Sequence, residues 1–194
     1  MASLLDILGS TLIGGMLLLI ILNMNIFISN ASYSSDNELK MQQNAKALAE
    51  IINYDFRKIG YKFDSTALLI AENKKIKFAG DLQRPGETGF GIIDTVEYFI
   101  LDSSFATGTS NPNDIILVRV LNNKDSIAGP SLGLVDLRFS YLDSLCSTTA
   151  VLAEIKYIKA ELWIEPTEQA NNFLTGKKDS AFTYWEFTIH PRNI

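Results

Sequence analysis

The residue types that most often carry chemistry are sparse in this chain, and their spacing decides against most of what they could do. Cys146 is the single cysteine and His190 the single histidine among 194 residues. A cysteine nucleophile needs a neighbouring base or cation to lower its pKa, and the residues flanking Cys146 supply none. One histidine does not make a histidine metal site, and one cysteine does not make an internal disulfide, so packing alone must hold the domain together. The run GETGFG, Gly86 to Gly91, has glycines at loosely phosphate-loop spacing. It follows Pro85 and lacks the Lys-Ser/Thr pair and the strand-to-helix context of such a loop, so a plain loop is expected. Asp114, behind the oxygen-rich TGTSNPN, offers one carboxylate where a Ca²⁺ loop draws on several. No catalytic residue, metal site or cofactor is expected, and the chain reads as a protein that is not an enzyme.

Six of the twelve aspartates, Asp64, Asp94, Asp102, Asp125, Asp143 and Asp179, precede Ser or Thr. All but Asp102 continue with Thr, Val, Ile, Leu or Ala, a pattern similar to the Asp-Ser/Thr-apolar signal for O-glycosylation in bacteria of the Bacteroidetes type. The candidate acceptors are Ser65, Thr95, Ser126, Ser144 and Ser180. The competing explanation is ordinary Asp-Ser turn chemistry, in which the aspartate side chain accepts from nearby backbone N–H groups.

The elements that must position these residues begin with an apolar segment. No charge occurs from Ile7 to Ser35, and the most apolar part, Ile7 to Ile28, covers 22 positions. About 20 apolar residues in a helix span a bilayer core, so the length fits a transmembrane helix. A secretory signal would carry a basic n-region and a shorter apolar core. Here the first lysine is Lys40 and the early charge is the negative Asp6, so the segment is expected to be retained. A carboxylate costs roughly 2.5–3.5 kcal/mol at mid-bilayer and less near the interface. Asp6 therefore either marks the aqueous edge or pairs with an amino terminus. Ser10-xxx-Gly14 and Thr11-xxx-Gly15 give the small-xxx-small spacing that lets helices approach closely. Gly14-Gly15 also loosens the helix locally, by up to about 1 kcal/mol per glycine.

No proline interrupts the polar stretch that follows. Met41, Ala45, Leu48, Ile52, Phe56 and Ile59 recur as one face of a helix, with Lys40, Gln43, Lys46, Glu50, Asn53 and Arg57 opposite. Gly60 takes the position just past the last periodic residue. If the two halves are continuous, about 55 residues at 1.5 Å each make a rod of roughly 80 Å. From Leu68 the period falls to 2. LVDLRFSYLD sets Val135, Leu137, Phe139 and Tyr141 against Asp136, Arg138 and Ser140, and TVEYFIL, DIILVRVL and FTYWEFTIH are further strands. VLAEIKYIKAELWIE shifts its alternation, which predicts a bulge near Ile158. RPGETGFG, SSFATGTSNPND and NNKDSIAGPSLG read as loops between antiparallel strands. The fold class is α+β: a long N-terminal hydrophobic-to-amphipathic helix packed on a C-terminal antiparallel β-sheet domain. The expected organisation is an apolar helix at 1–35, its amphipathic continuation at 36–61 and a β-rich head at 62–194. The net charge of −5 argues against a nucleic-acid partner, which needs a Lys/Arg excess.

This order of elements resembles the type IV pilin and pseudopilin family, most closely the W-type minor pilins and the J-type pseudopilins of type II secretion. LAEIINYDFRKIGY, Leu48 to Tyr61, is similar to the helix end of those proteins at Asp55, Arg57, Gly60 and Tyr61. IKFAGDL, VEYFIL, LVRV and LVDLRFSYLD follow in the family's strand order. The family's peptidase motif is a glycine followed by Phe-Thr-Leu-Ile-Glu. After Gly9, Thr11, Leu12 and Ile13 match, whereas Ser10 and Gly14 do not, and the basic leader is missing. The resemblance implies a chain that keeps its leader, with Asp6 in fifth place after loss of Met1 and in the role of the family's glutamate, which neutralises a neighbour's amino terminus. It further implies a homopolymer filament. The subunit would wait in the bacterial inner membrane with its assembly machinery, assemble through Asp6, Gly9, Ser10, Thr11, Gly14 and Gly15, and end at the cell surface. The alternatives are a minor pseudopilin and a membrane-anchored envelope module that never polymerises.

Overall fold

A computed structural model describes residues 2–83, 85–168 and 181–194. Among the described residues one α-helix, α1 (Ala2–Phe56), precedes eight strands: β1 (Leu68–Glu72), β2 (Lys75–Gly80), β3 (Asp94–Leu101), β4 (Ile116–Leu121), β5 (Asp125–Ala128), β6 (Leu134–Leu142), β7 (Tyr157–Ile164) and β8 (Thr183–Ile189). All neighbouring strands pair antiparallel, in a five-stranded sheet ordered β1-β2-β3-β4-β5 and a three-stranded sheet ordered β6-β7-β8. The chain divides into two compact units, Met1–Leu39 and Lys40–Ile194. The amphipathic half of α1 thus belongs to the same unit as the sheets.

Within that second unit the 3.6-residue pattern finds its partner. Met41, Ala45, Leu48, Ile52, Phe56 and Ile59 are all buried. Neither glycine nor proline interrupts the sequence from Met16 to Ile59, so nothing there opposes continued helix. Phe56 is the hinge pin of the core. Its ring meets Phe78 of β2 edge-on at 5.7 Å, Tyr98 of β3 at 6.1 Å and Phe139 of β6 at 5.7 Å, so one helix residue joins both sheets. Edge-on aromatic pairs add about 0.5–1.5 kcal/mol beyond their buried area. The sheets are also joined directly: Phe139 N–H donates to the Asn73 carbonyl (2.7 Å) and the Tyr141 hydroxyl to the Glu72 carbonyl (2.9 Å).

Four local features differ from or refine the sequence reading. The α-helix closes at Phe56 rather than Ile59, because the next bonds tighten to three-residue turns, Lys58 N–H to Asp55 O and Ile59 N–H to Phe56 O. Gly60 nevertheless takes the left-handed conformation, φ +73°, and a Cβ there would lie 2.3 Å from the Asn193 carbonyl oxygen. The shift in VLAEIKYIKAELWIE is not a bulge. Leu152–Glu154 is a short 3₁₀ turn and β7 starts only at Tyr157, so its two alternations belong to different structures. The register irregularities fall instead at Leu68/Ile70 and Leu134/Asp136, and the second leaves Val135 half-buried while Leu134 is buried. Finally, NNKDSIAGPSLG is not all loop. Asn122 and Asn123 take positive φ (52° and 56°), Lys124 N–H donates to the Leu121 carbonyl, and the resulting type I′-like turn launches β5. β5 escaped notice because all four of its residues are exposed and carry no alternation.

Candidate functional site

The first candidate is the apolar first unit. Its helix has a mean hydropathy of 2.2 over the most apolar window, none of which is buried, and it is long and apolar enough to cross a membrane. Large side chains such as Leu8, Leu12, Ile13, Met16 and Phe27 are each at least 59% exposed. Exposed apolar surface on this scale marks a membrane or protein contact. The polar side chains inside it are already served. Ser10 Oγ donates to the Asp6 carbonyl (2.7 Å), and Thr11 Oγ1 reaches the Ile7 and Leu8 carbonyls (3.0 and 2.9 Å). Such back-bonding lets hydroxyls sit in an apolar medium without an outside partner. Among the described residues, a Cβ at Gly9, Gly14 or Gly15 would meet nothing within 4 Å. The helix runs through Gly14-Gly15 without a break. Asp6 is exposed on this helix, and Met1, the terminal residue, lies outside the described residues.

The second candidate lies where α1 ends in the other unit. Asp55 is 4% exposed, and its Oδ2 accepts from the Tyr98 hydroxyl (2.7 Å) and from Arg119 Nε (2.6 Å). Helix, β3 and β4 therefore share one buried carboxylate. Burial, and after it the Asp55 charge, drives the Tyr98 hydroxyl far above its ordinary pKa, so Tyr98 is a fixed donor at any physiological pH. The resemblance had singled out Asp55, but Tyr98 and Arg119 lie 43 and 64 residues further on, and no local pattern links them to it.

The remaining chemistry-bearing residues separate. GETGFG joins β2 to β3, two antiparallel strands, and wraps around the buried Asp81, whose carboxylate accepts from Gly91 N–H (2.8 Å) and Gln83 N–H (3.2 Å). Cys146 is exposed in the β6–β7 connection at φ +60°. His190 Nδ1 is engaged with the Lys156 carbonyl (2.7 Å), and its ring packs on Tyr157. Among the candidate acceptors, Ser65, Ser126 and Ser144 are exposed, Thr95 is half-buried within β3, and Ser180 lies outside the described residues. Asp143, before Ser144, accepts from Leu145 N–H and Ser147 N–H, which is the turn chemistry that competes with a modification signal. Asp114 is fully buried, with the Thr109 and Ser131 hydroxyls beside its carboxyl. Burial pushes its carboxyl up from the ordinary value, against the Thr109 and Ser131 hydroxyls beside it and together with the like charge of Glu165. Among the described residues, no group of three or more His, Cys, Asp or Glu side chains is placed to hold a metal.

No protein-family model matches the chain, and no curated protein is significantly similar to it.

Proposed function

We propose that this protein is a structural subunit of a pilus-like helical filament, acting without catalysis. The observation that carries the reading is the pairing of two opposite surfaces. A fully exposed apolar helix forms one unit, and a well-packed two-sheet unit uses only the amphipathic end of the same helix for its core. An exposed apolar helix joined to a domain with its own packed core is what a subunit exchanging a bilayer for a filament core requires. Identical subunits stacked by a repeated, non-closing contact generate an open helical fibre. In this reading the helix is stored in the bacterial inner membrane, assembly machinery extracts it, and the sheets form the outer surface of an extracellular filament. Asp6 neutralises an amino terminus of the adjacent subunit, and Gly9, Ser10, Thr11, Gly14 and Gly15 allow close helix approach.

Electron microscopy of material sheared from cells producing the chain tests this, with the Asp6→Ala variant beside it. Fibres that contain the chain are expected from the wild type and none from Asp6→Ala. A chain found only in the membrane fraction, with no fibres, refutes the filament and leaves an anchored envelope module. Unchanged fibres in the variant refute the role of Asp6.

A further inference from the structure

Four asparagines recur in α1 seven residues apart, Asn23, Asn30, Asn37 and Asn44, and the same row begins upstream with Gly9 and Met16. Seven residues are close to two helical turns, so successive members drift by only about 20°, and Asn23, Asn30 and Asn37 share one face. Leu12, Leu19, Ile26 and Tyr33 follow members of that row by three residues, and all four are exposed. Together the two rows have the spacing of a seam on which parallel helices pack. Asn23 lies inside the apolar stretch Ile7 to Ile28, where hydrocarbon offers an amide neither donor nor acceptor. Asn30 Nδ2 is buried and has no hydrogen-bond partner. From Ser3 to Lys40 every residue is exposed except Asn30 and Asn37, which are half-buried. Asn44, the next member, lies in the second unit and shows what such an amide does when an acceptor is in reach: its Nδ2 donates to the Leu132 carbonyl (3.0 Å).

We propose that Asn23, Asn30 and Asn37 form a hydrogen-bonded ladder with the same row on a second copy of this chain. The ladder rests on the reading of the chain as a self-assembling subunit and names the contact its apolar helix makes. A side-chain amide carries both donors and an acceptor, so two identical rows satisfy each other reciprocally. Leucine against leucine gains little over leucine against lipid, so the amides rather than the apolar bulk select the partner. Copies inserted in one bilayer share an orientation, so their helices run parallel and like rows meet. The neighbouring Ile26, Phe27 and Tyr33 side chains are exposed, which leaves Asn30 room to rotate and turn its amide outward. The constant step also tolerates sliding. Seven residues rise about 10.5 Å, so a copy shifted along the axis by one step sets its Asn30 level with Asn23 of its neighbour. Copies side by side in the membrane and copies shifted in a filament thus use the same amides.

The test is sedimentation equilibrium of the full chain in density-matched detergent micelles with reductant present, for wild type, Asn23→Leu, Asn30→Leu, Asn30→Gln and Asn25→Leu. Asn25 is an amide at similar depth but about 200° around the helix from Asn23, off the row. One interhelical amide contact in an apolar medium corresponds to about a 3- to 30-fold change in association. Wild type is expected to self-associate, and Asn23→Leu and Asn30→Leu each to associate less tightly by that factor. Asn30→Gln, which keeps the amide, and Asn25→Leu are expected to stay close to wild type. A monomeric wild type, or leucine variants on the row that associate as wild type does, overturns the ladder, and so does an Asn25→Leu variant as weak as Asn23→Leu. Electron microscopy of sheared material from cells producing the same variants separates the ladder from the filament. Association that depends on Asn23 and Asn30 without any fibres keeps the ladder and overturns the filament, whereas wild-type fibres with association indifferent to both asparagines overturn the ladder alone.

Discussion

Replacing Arg119 by Met tests the idea that one shared carboxylate ties the helix to the five-stranded sheet. Arg119 Nε lies 2.6 Å from Asp55 Oδ2, with the Asp55 side chain 6% exposed and that of Arg119 23% exposed. Without the guanidinium, Asp55 keeps the Tyr98 hydroxyl as its one side-chain donor among the described residues. Removing one partner of a buried pair costs about 3–5 kcal/mol, because a buried charge is left uncompensated. Water reaches the Arg119 end, so the expected loss lies toward the lower side, about 2–3 kcal/mol. At this chain length each kcal/mol moves Tm by about 2–4 °C, which gives a fall of roughly 4–12 °C. The triple replacement Asp55→Leu, Tyr98→Phe and Arg119→Met should recover most of that loss, since removing both charges of a buried pair together with the hydroxyl that serves it leaves no orphaned group. Heat unfolding of the full chain in detergent, followed through the fluorescence of Trp163 and Trp185 on β7 and β8, reads both variants. A single variant within about 0.5 kcal/mol of wild type, or a triple variant as unstable as the single, would show that the pair does not carry this load.

Two further predictions concern the same unit. Phe56→Ala removes the ring that contacts Phe78, Tyr98 and Phe139 together, and should cost about 3–5 kcal/mol in urea unfolding; a loss below about 1.5 kcal/mol would mean the sheets close over the gap. Glu97 accepts from Lys75 (2.7 Å) and Lys77 (3.1 Å), and the Lys75 bond first of all holds its carboxyl below the ordinary range. A depressed carboxyl contributes stability that is present above its unfolded pKa of about 4.3 and lost as pH falls through its folded value. The stability of Glu97→Gln should therefore fall less steeply than that of wild type below about pH 4.3, and parallel acid limbs would refute the assignment.

The helix was largely legible in the sequence because helical amphipathicity is a local property. Met41 to Ile59 repeat at helical spacing, and the structure buries each of them. The exposed apolar unit was equally plain, since uninterrupted hydropathy from Ile7 to Ile28 needs no partner to be recognised. Strands with alternating faces, such as β6 and β7, could be read in the same way. β5 could not, because an exposed edge strand has no buried face to impose a pattern.

Asp114 shows the limit on the site side. From the sequence it is one acid after a polar loop; only the folded chain reveals that its carboxyl is enclosed, with the Thr109 and Ser131 hydroxyls and Glu165 near it. The sequence by itself determined the fold class: a long apolar-to-amphipathic helix followed by antiparallel strands. The tertiary structure alone decided that eight strands divide into two sheets, that Phe56 joins them, and that Asp55 meets Tyr98 and Arg119. Periodicity records which face of an element avoids water, whereas the partners on that face are chosen by chain closure across tens of residues, and that choice leaves no spacing to read.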